Sequence, residues 1–120
     1  MYLETAEYII KSSFWNPFWG DKLDYEVAEK MLNITTNQGL RTGIKHFQRA
    51  LNLYEGINIK EDGLMGRNTY GAYKKVTDRV EGLLSLIKYL DVLQGYRYIR
   101  IIENDKSQKA FTRGWSKRLR

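Results

Sequence analysis

The chain has 120 residues, of which 42% are hydrophobic and 28% charged, and its 20 Lys and Arg outnumber 14 Asp and Glu for a formal net charge of +6. This is the composition of one ordinary globular domain with a single core, not of a disordered segment. Cysteine is absent and His46 is the sole histidine, so disulfides, thiolate catalysis and Cys-built zinc sites are excluded, and neither a metal nor another cofactor is expected.

No apolar run approaches the roughly 18 residues of a membrane span. The opening "MYLETAEYII" has neither a basic region nor a small-residue cleavage site, so no signal peptide is visible and synthesis in the cytoplasm is expected. A first helix is predicted over Leu3 to Phe14, with Leu3, Ala6 and Ile10 on one stripe and Tyr2 and Ile9 alongside. Pro17 and Gly20 then interrupt it within an aromatic loop, "FWNPFWGDKL". Asp24 is placed to N-cap a second helix bearing Val27, Met31 and Ile34, which Gly39 ends.

A third helix is predicted from about Thr42 to Tyr54, with Ile44, Phe47 and Leu51 on one face and Gln48 set within that face. His46 is expected on the solvent side beside Lys45. After the loop "DGLMGRNT" come a short helix from Arg67 to about Val76 and a long segment from Arg79 to about Glu103. That segment carries Val80, Leu83, Leu84, Ile87, Leu90 and Leu93, is apolar on more than one side, and is therefore expected to be central. A last short helix is expected from about Gln108 to Lys117. The fold class is all-α: one domain over 1–120, of five to six helices around one long helix.

The loop at 62–69 reads as a self-bonded turn. Asp62 can accept from the backbone two residues on, Gly63 and Gly66 can take positive φ, and Thr69 or Asn68 can satisfy N–H groups where the next helix begins. An amide on an apolar face needs partners, and the loop folded over Gln48 would supply them. Asn37 is the second polar group expected to fix architecture.

"IKHFQRALN" followed by "EDGLMGRNTYGAY" resembles the helix-loop-helix of peptidoglycan-binding modules, in which an L/F-Q-x-x-L-N helix precedes D-G-x-x-G-x-x-T. The flanks "FWNPFWGDKL", "NITTNQG", "GYRYIRII" and "FTRGWSKR" extend the resemblance from about Phe14 to Arg118. Over that range the chain is similar to the C-terminal peptidoglycan-binding domain attached to N-acetylmuramidases of glycoside hydrolase family 108, which occur in phage endolysins and bacterial secretion settings. The Glu-Gly-Gly motif that carries that family's catalytic acid does not occur here, catalysis is not transferred to Glu4 or Glu7, and position 33 is Asn where similar sequences often have Asp.

The resemblance implies a non-catalytic wall-binding module that supports a muramidase supplied elsewhere, acting at the cell wall or periplasm on peptidoglycan glycan or stem peptide. Aromatic faces can stack on sugars and cations can pair with peptide carboxylates, which makes Trp15, Trp19, Arg67, Tyr70, Tyr73, Arg113 and Trp115 the candidate ligand-binding residues. Trp15 and Trp115 carry a second reading as anchors of irregular segments, and Tyr70 and Tyr73 as a buried face.

Three alternatives stay open. A protein-protein adaptor or inhibitor would use the aromatic loop as its anchor. A complete or partial muramidase would need two carboxylates from Asp21, Asp24, Glu61 and Asp62. Nucleic-acid binding would rest on residues 106–120, which hold six of the 20 bases and none of the 14 acids. The third is disfavoured, because only one Trp interleaves those bases and no other helix carries a basic stripe.

Overall fold

The computed structural model describes residues 2–119, and the side chains of residues 6–119. The described residues fold into six α-helices: α1 at Tyr2–Ile10, α2 at Tyr25–Gln38, α3 at Leu40–Leu51, α4 at Arg67–Thr77, α5 at Gly82–Asn104 and α6 at Thr112–Ser116. A π turn at Lys11–Trp15 and 3-10 turns at Gly20–Lys22 and Lys106–Phe111 join them, and no strand occurs among the described residues. The all-α globule expected from the sequence is the one observed.

A helix that is apolar on several sides has to be surrounded, and α5 is packed by α2, α3, α4 and the C-terminal turns. Its Leu86, Ile87, Leu90 and Leu93 are buried, each contributing about 1.5–3 kcal/mol. The helix starts at Gly82, not at Arg79, and Val80, expected in its apolar face, is 95% exposed. Residues 78–81 reverse the chain instead, with Glu81 in the left-handed region and the Gly82 N–H donating to the Arg79 carbonyl. Leu84 is also exposed.

Gly39, at φ +98°, ends α2 and starts α3 in a conformation that glycine adopts without strain. The two helices then lie so close that a Cβ on Gly43 would stand 2.5 Å from Thr35 Cγ2. The Ile44, Phe47 and Leu51 face of α3 is buried as its spacing requires. The stripe of α1 is not: Ile9 and Ile10 are exposed, and the helix packs on the π turn that follows it. The side chains of Tyr2 and Leu3, expected on that stripe, lie outside the described residues. In the aromatic loop Phe18 is fully buried, and the Trp15 indole donates from Nε1 to Asp21 Oδ1 at 2.8 Å. A Cβ on Gly20 would lie 2.3 Å from the Trp15 ring, so that ring requires glycine there.

The core also contains a charged group. Lys30 of α2 is 4% exposed and donates from Nζ to Asp91 Oδ1 at 2.6 Å, to Gln94 Oε1 at 2.6 Å and to the Arg118 carbonyl at 3.3 Å. The Gln94 amide donates to Asn33 Oδ1 at 2.8 Å, and the Gln38 amide to the Gln94 carbonyl at 3.1 Å. His46, expected in solvent, is half-buried with Nε2 3.0 Å from Gln38 Oε1. Removal from water, then the nearby Arg97 and Arg49, lower its pKa from 6.5 to about 4. The C-terminal turns close over this network, where Trp115 stacks on Tyr98 at 4.7 Å and Leu119 covers Gly95.

Candidate functional site

The loop between α3 and α4 is folded around one amide. Gln48, 1% exposed, donates from Nε2 to Asp62 Oδ1 at 3.0 Å, to the Leu64 carbonyl at 3.0 Å and to Thr69 Oγ1 at 3.1 Å. Its Oε1 accepts the Gly63 N–H at 2.8 Å. Asp62 Oδ1 also accepts the Leu64 N–H at 3.0 Å, and these two hydrogen bonds, that from Gln48 first, hold its carboxyl below the usual range. Gly63 takes the left-handed conformation at φ +77°, and a Cβ there would lie 2.4 Å from Arg41 Cγ. Gly66 does not share that role, being extended at φ −158°. Neither Asn68 nor Thr69 caps α4, which begins without a side-chain cap, and the Thr69 hydroxyl is instead an acceptor for Gln48.

Asn52 adds a second amide clasp one helical turn on. Its Nδ2 donates to the Ile59 carbonyl at 2.8 Å and to Glu61 Oε2 at 2.9 Å, while its Oδ1 accepts the Ile59 N–H at 2.8 Å. Sequence reasoning missed this residue. The signal was its spacing of four from Gln48, which puts the residue that caps the C-terminus of α3 on the same side of the helix as Gln48.

With the loop held from beneath, a groove of about 940 Å³ opens between residues 56–60 and the first three turns of α4. Lys60, Arg67 and Lys75 line it, and neither Arg67 nor Lys75 takes part in an ion pair among the described residues. Asp62 is the lining carboxylate, and its Oδ1 is engaged by Gln48 and Leu64. Ile57, Ile59, Leu64, Met65 and Ala72 supply apolar lining, and no aromatic residue contributes. Gly71 also lines the groove, and a Cβ built on it would meet nothing within 4 Å.

The sequence model of the family described as a predicted peptidoglycan domain matches residues 42–120, which include the clasp and both walls of the groove. The chain belongs to that family. No curated protein matches it.

Within this peptidoglycan-domain fold the sequence-predicted site residues fall into separate groups. Arg67 lines the groove. Tyr70, one turn on, is half-buried and meets the Trp19 ring at 5.8 Å, while Lys22 Nζ lies 4.9 Å from the Trp19 centroid. Trp19 borders a shallow depression of about 250 Å³ with Asn16, Gly20, Asp21 and Lys22. That patch precedes the family match.

Tyr73, expected among the ligand-binding residues, is 0% exposed and serves as a strut. Its hydroxyl donates to Asp24 Oδ1 at 2.5 Å and accepts the Asp24 N–H at 2.7 Å, and burial followed by the Asp24 hydrogen bond raises its pKa. Asp24 thus stands at the N-cap of α2 with its carboxylate bonded to α4 and not to its own helix. Trp15 anchors the aromatic loop. Arg113 and Trp115 belong to α6, against the distal half of α5; Tyr98 is twelve residues along that helix from Leu86, about 18 Å at 1.5 Å per residue. Asn37 is exposed and, among the described residues, bonds only within its helix, to the Asn33 carbonyl at 2.7 Å. Asn33 and Gln38 join α2 to α5 in its place.

Proposed function

We propose that the chain is a non-catalytic peptidoglycan-binding module that docks on the cell wall and supports a muramidase supplied by another domain or chain. The observation that carries this reading is the cation-lined groove on the clasp, within the stretch that the family shares. Arg67 and Lys75 are free to meet the carboxylates of a wall polymer, and Trp19 with Tyr70 offers aromatic surface beside α4.

The candidate catalytic carboxylates support a binding role, because each has a structural partner. Asp21 accepts from Trp15, Asp24 from Tyr73, Glu61 from Asn52 and Asp62 from Gln48. A general acid in glycoside hydrolysis needs a raised pKa, and that of Asp62 is lowered.

Co-sedimentation with insoluble sacculi, paired with a wall-clearing assay, tests the proposal. Retention without clearing is expected. Clearing by the purified chain would restore the enzyme, and no retention would overturn wall binding.

One observation favours a second reading, an adaptor or inhibitor. Tyr89, Val92, Tyr96 and Ile99, spaced three, four and three apart, form an exposed apolar stripe on α5. Indifference to sacculi with a tight complex to one protein would select it.

A further inference from the structure

The geometry assigns the groove to an anionic peptide in extended conformation, the stem peptide of the wall polymer and not its glycan. This assignment rests on the wall-binding reading and specifies its ligand.

Three features converge on it. Sugars present C–H faces that dock on aromatic rings, and the groove lining contains none. It contains instead three cations against one carboxylate, Asp62, which stays charged and whose Oδ1 is held by Gln48 and Leu64, so the lining keeps a net positive charge for a ligand. Arg67 is suited to paired hydrogen bonding with a carboxylate, and Lys75, eight residues on, lies two turns farther along α4. The two cations are thus about 12 Å apart along the helix axis at 1.5 Å per residue, the reach of about four extended peptide units.

The third feature is the opposite wall. Residues 57–61 run without turn or bend, and Asn52 takes both backbone groups of Ile59. The backbone groups of Asn58 and Lys60, which flank Ile59, are not taken by Asn52. Both residues line the groove, and their N–H and C=O groups make no hydrogen bond among the described residues. Backbone groups left open in this way can pair with the amide N–H and C=O groups that recur along a stem peptide and not along the ring-to-ring linkages of a glycan strand. Ile57, Met65 and Ala72 then offer apolar contact to alanine methyl groups. Gly71 leaves room for a backbone to approach α4.

Titration calorimetry with soluble probes tests the assignment. They are a tetrapeptide of alanine, γ-linked glutamate, diaminopimelate and alanine, the same peptide with its carboxylates amidated, and a peptide-free N-acetylglucosamine tetramer. The free-acid peptide is expected to bind, amidation to weaken it about fivefold or more, and the sugar to give no heat. Arg67→Gln combined with Lys75→Gln should weaken the free-acid peptide about tenfold while leaving the circular dichroism and melting of the protein unchanged. Equal affinity for the amidated peptide, tighter binding of the sugar, or an unaffected double variant would overturn the assignment.

Sacculi stripped of stem peptide by an amidase separate this assignment from the reading beneath it. Equal retention on stripped and intact sacculi leaves wall binding standing and removes the peptide assignment. Peptide binding without retention on intact sacculi upholds the groove chemistry and removes wall docking. Silence towards every probe removes both.

Discussion

Two buried polar residues organise this molecule in opposite ways. Gln48 is neutral and bonds groups no more than 21 residues away, in one loop and the first turn of α4 that follows it. Lys30 is charged and bonds groups 61, 64 and 88 residues away, on α5 and on the C-terminal turn. A neutral amide loses little on leaving water when each of its hydrogen bonds is replaced, so it serves to shape a loop at low cost. A buried ammonium is costly to desolvate and tolerable only when its partners are in place, which ties distant parts of the chain to one arrangement. The α3–α4 loop is thus specified locally, and the packing of α2, α5 and the C-terminal turn globally.

The largest expected effect comes from breaking the ionic member of the pair. Lys30→Met leaves Asp91, Gln94 and the Arg118 carbonyl without their shared donor, and should cost about 3–5 kcal/mol in urea unfolding. Amide exchange should quicken in residues 112–119 as well as in α2. A variant as stable as the parent would show that the network is dispensable. Gln48→Leu should cost less, about 2–4 kcal/mol, with loss of exchange protection confined to residues 62–69. If the order of the two losses were reversed, or if the loop variant loosened the C-terminal turns, the contrast between local and global specification would be wrong.

The smallest effect is a dependence on pH. His46 sits at the edge of the Lys30 network with a folded pKa of about 4 against an ordinary 6.5. The unfolded chain therefore takes up the proton first. The stability this group contributes is complete above pH 6.5 and is lost as pH falls towards 4, about 1–2 kcal/mol once solvent screening of a half-buried ring is allowed for. His46→Gln keeps a polar group near Gln38 and should flatten the stability profile between those limits. The lowered pKa of Asp62 acts in the same direction further into acid, and that decline should persist in both proteins. An unchanged slope in the variant would show that the imidazole is solvated.

What the sequence revealed follows from the same contrast. Gln48 could be read because its polarity conflicts with an apolar helix face, and the nearby Asp, Gly and Thr belong to a turn vocabulary with short range. Gly39 and the long helix were legible for similarly local reasons, backbone freedom and hydrophobic patterning. Lys30 was not, because a lysine at a buried helical position looks like any surface lysine until residues 91, 94 and 118 are brought to it. His46 was misplaced for that reason, its partner Gln38 being set by the Gly39 turn. Tyr73 was read as a ligand group because an aromatic pair on a helix has no label for inside and outside; its bond to Asp24 spans 49 residues. Of the groove, Arg67 was named from the sequence as a ligand group and Asp62, Gly66 and Thr69 as loop residues, while Lys60 and Lys75, and Asn52 that clasps the loop, were passed over because only the folded loop brings residues 56–60 and α4 to one groove.

The open space at Gly71 makes the groove accessible to spectroscopy. The chain contains no cysteine, so Gly71→Cys would provide a single thiol in the groove lining, where a new side chain meets no neighbour. A solvent-sensitive dye attached there would report directly on what enters the groove, and the core would not be disturbed by the label.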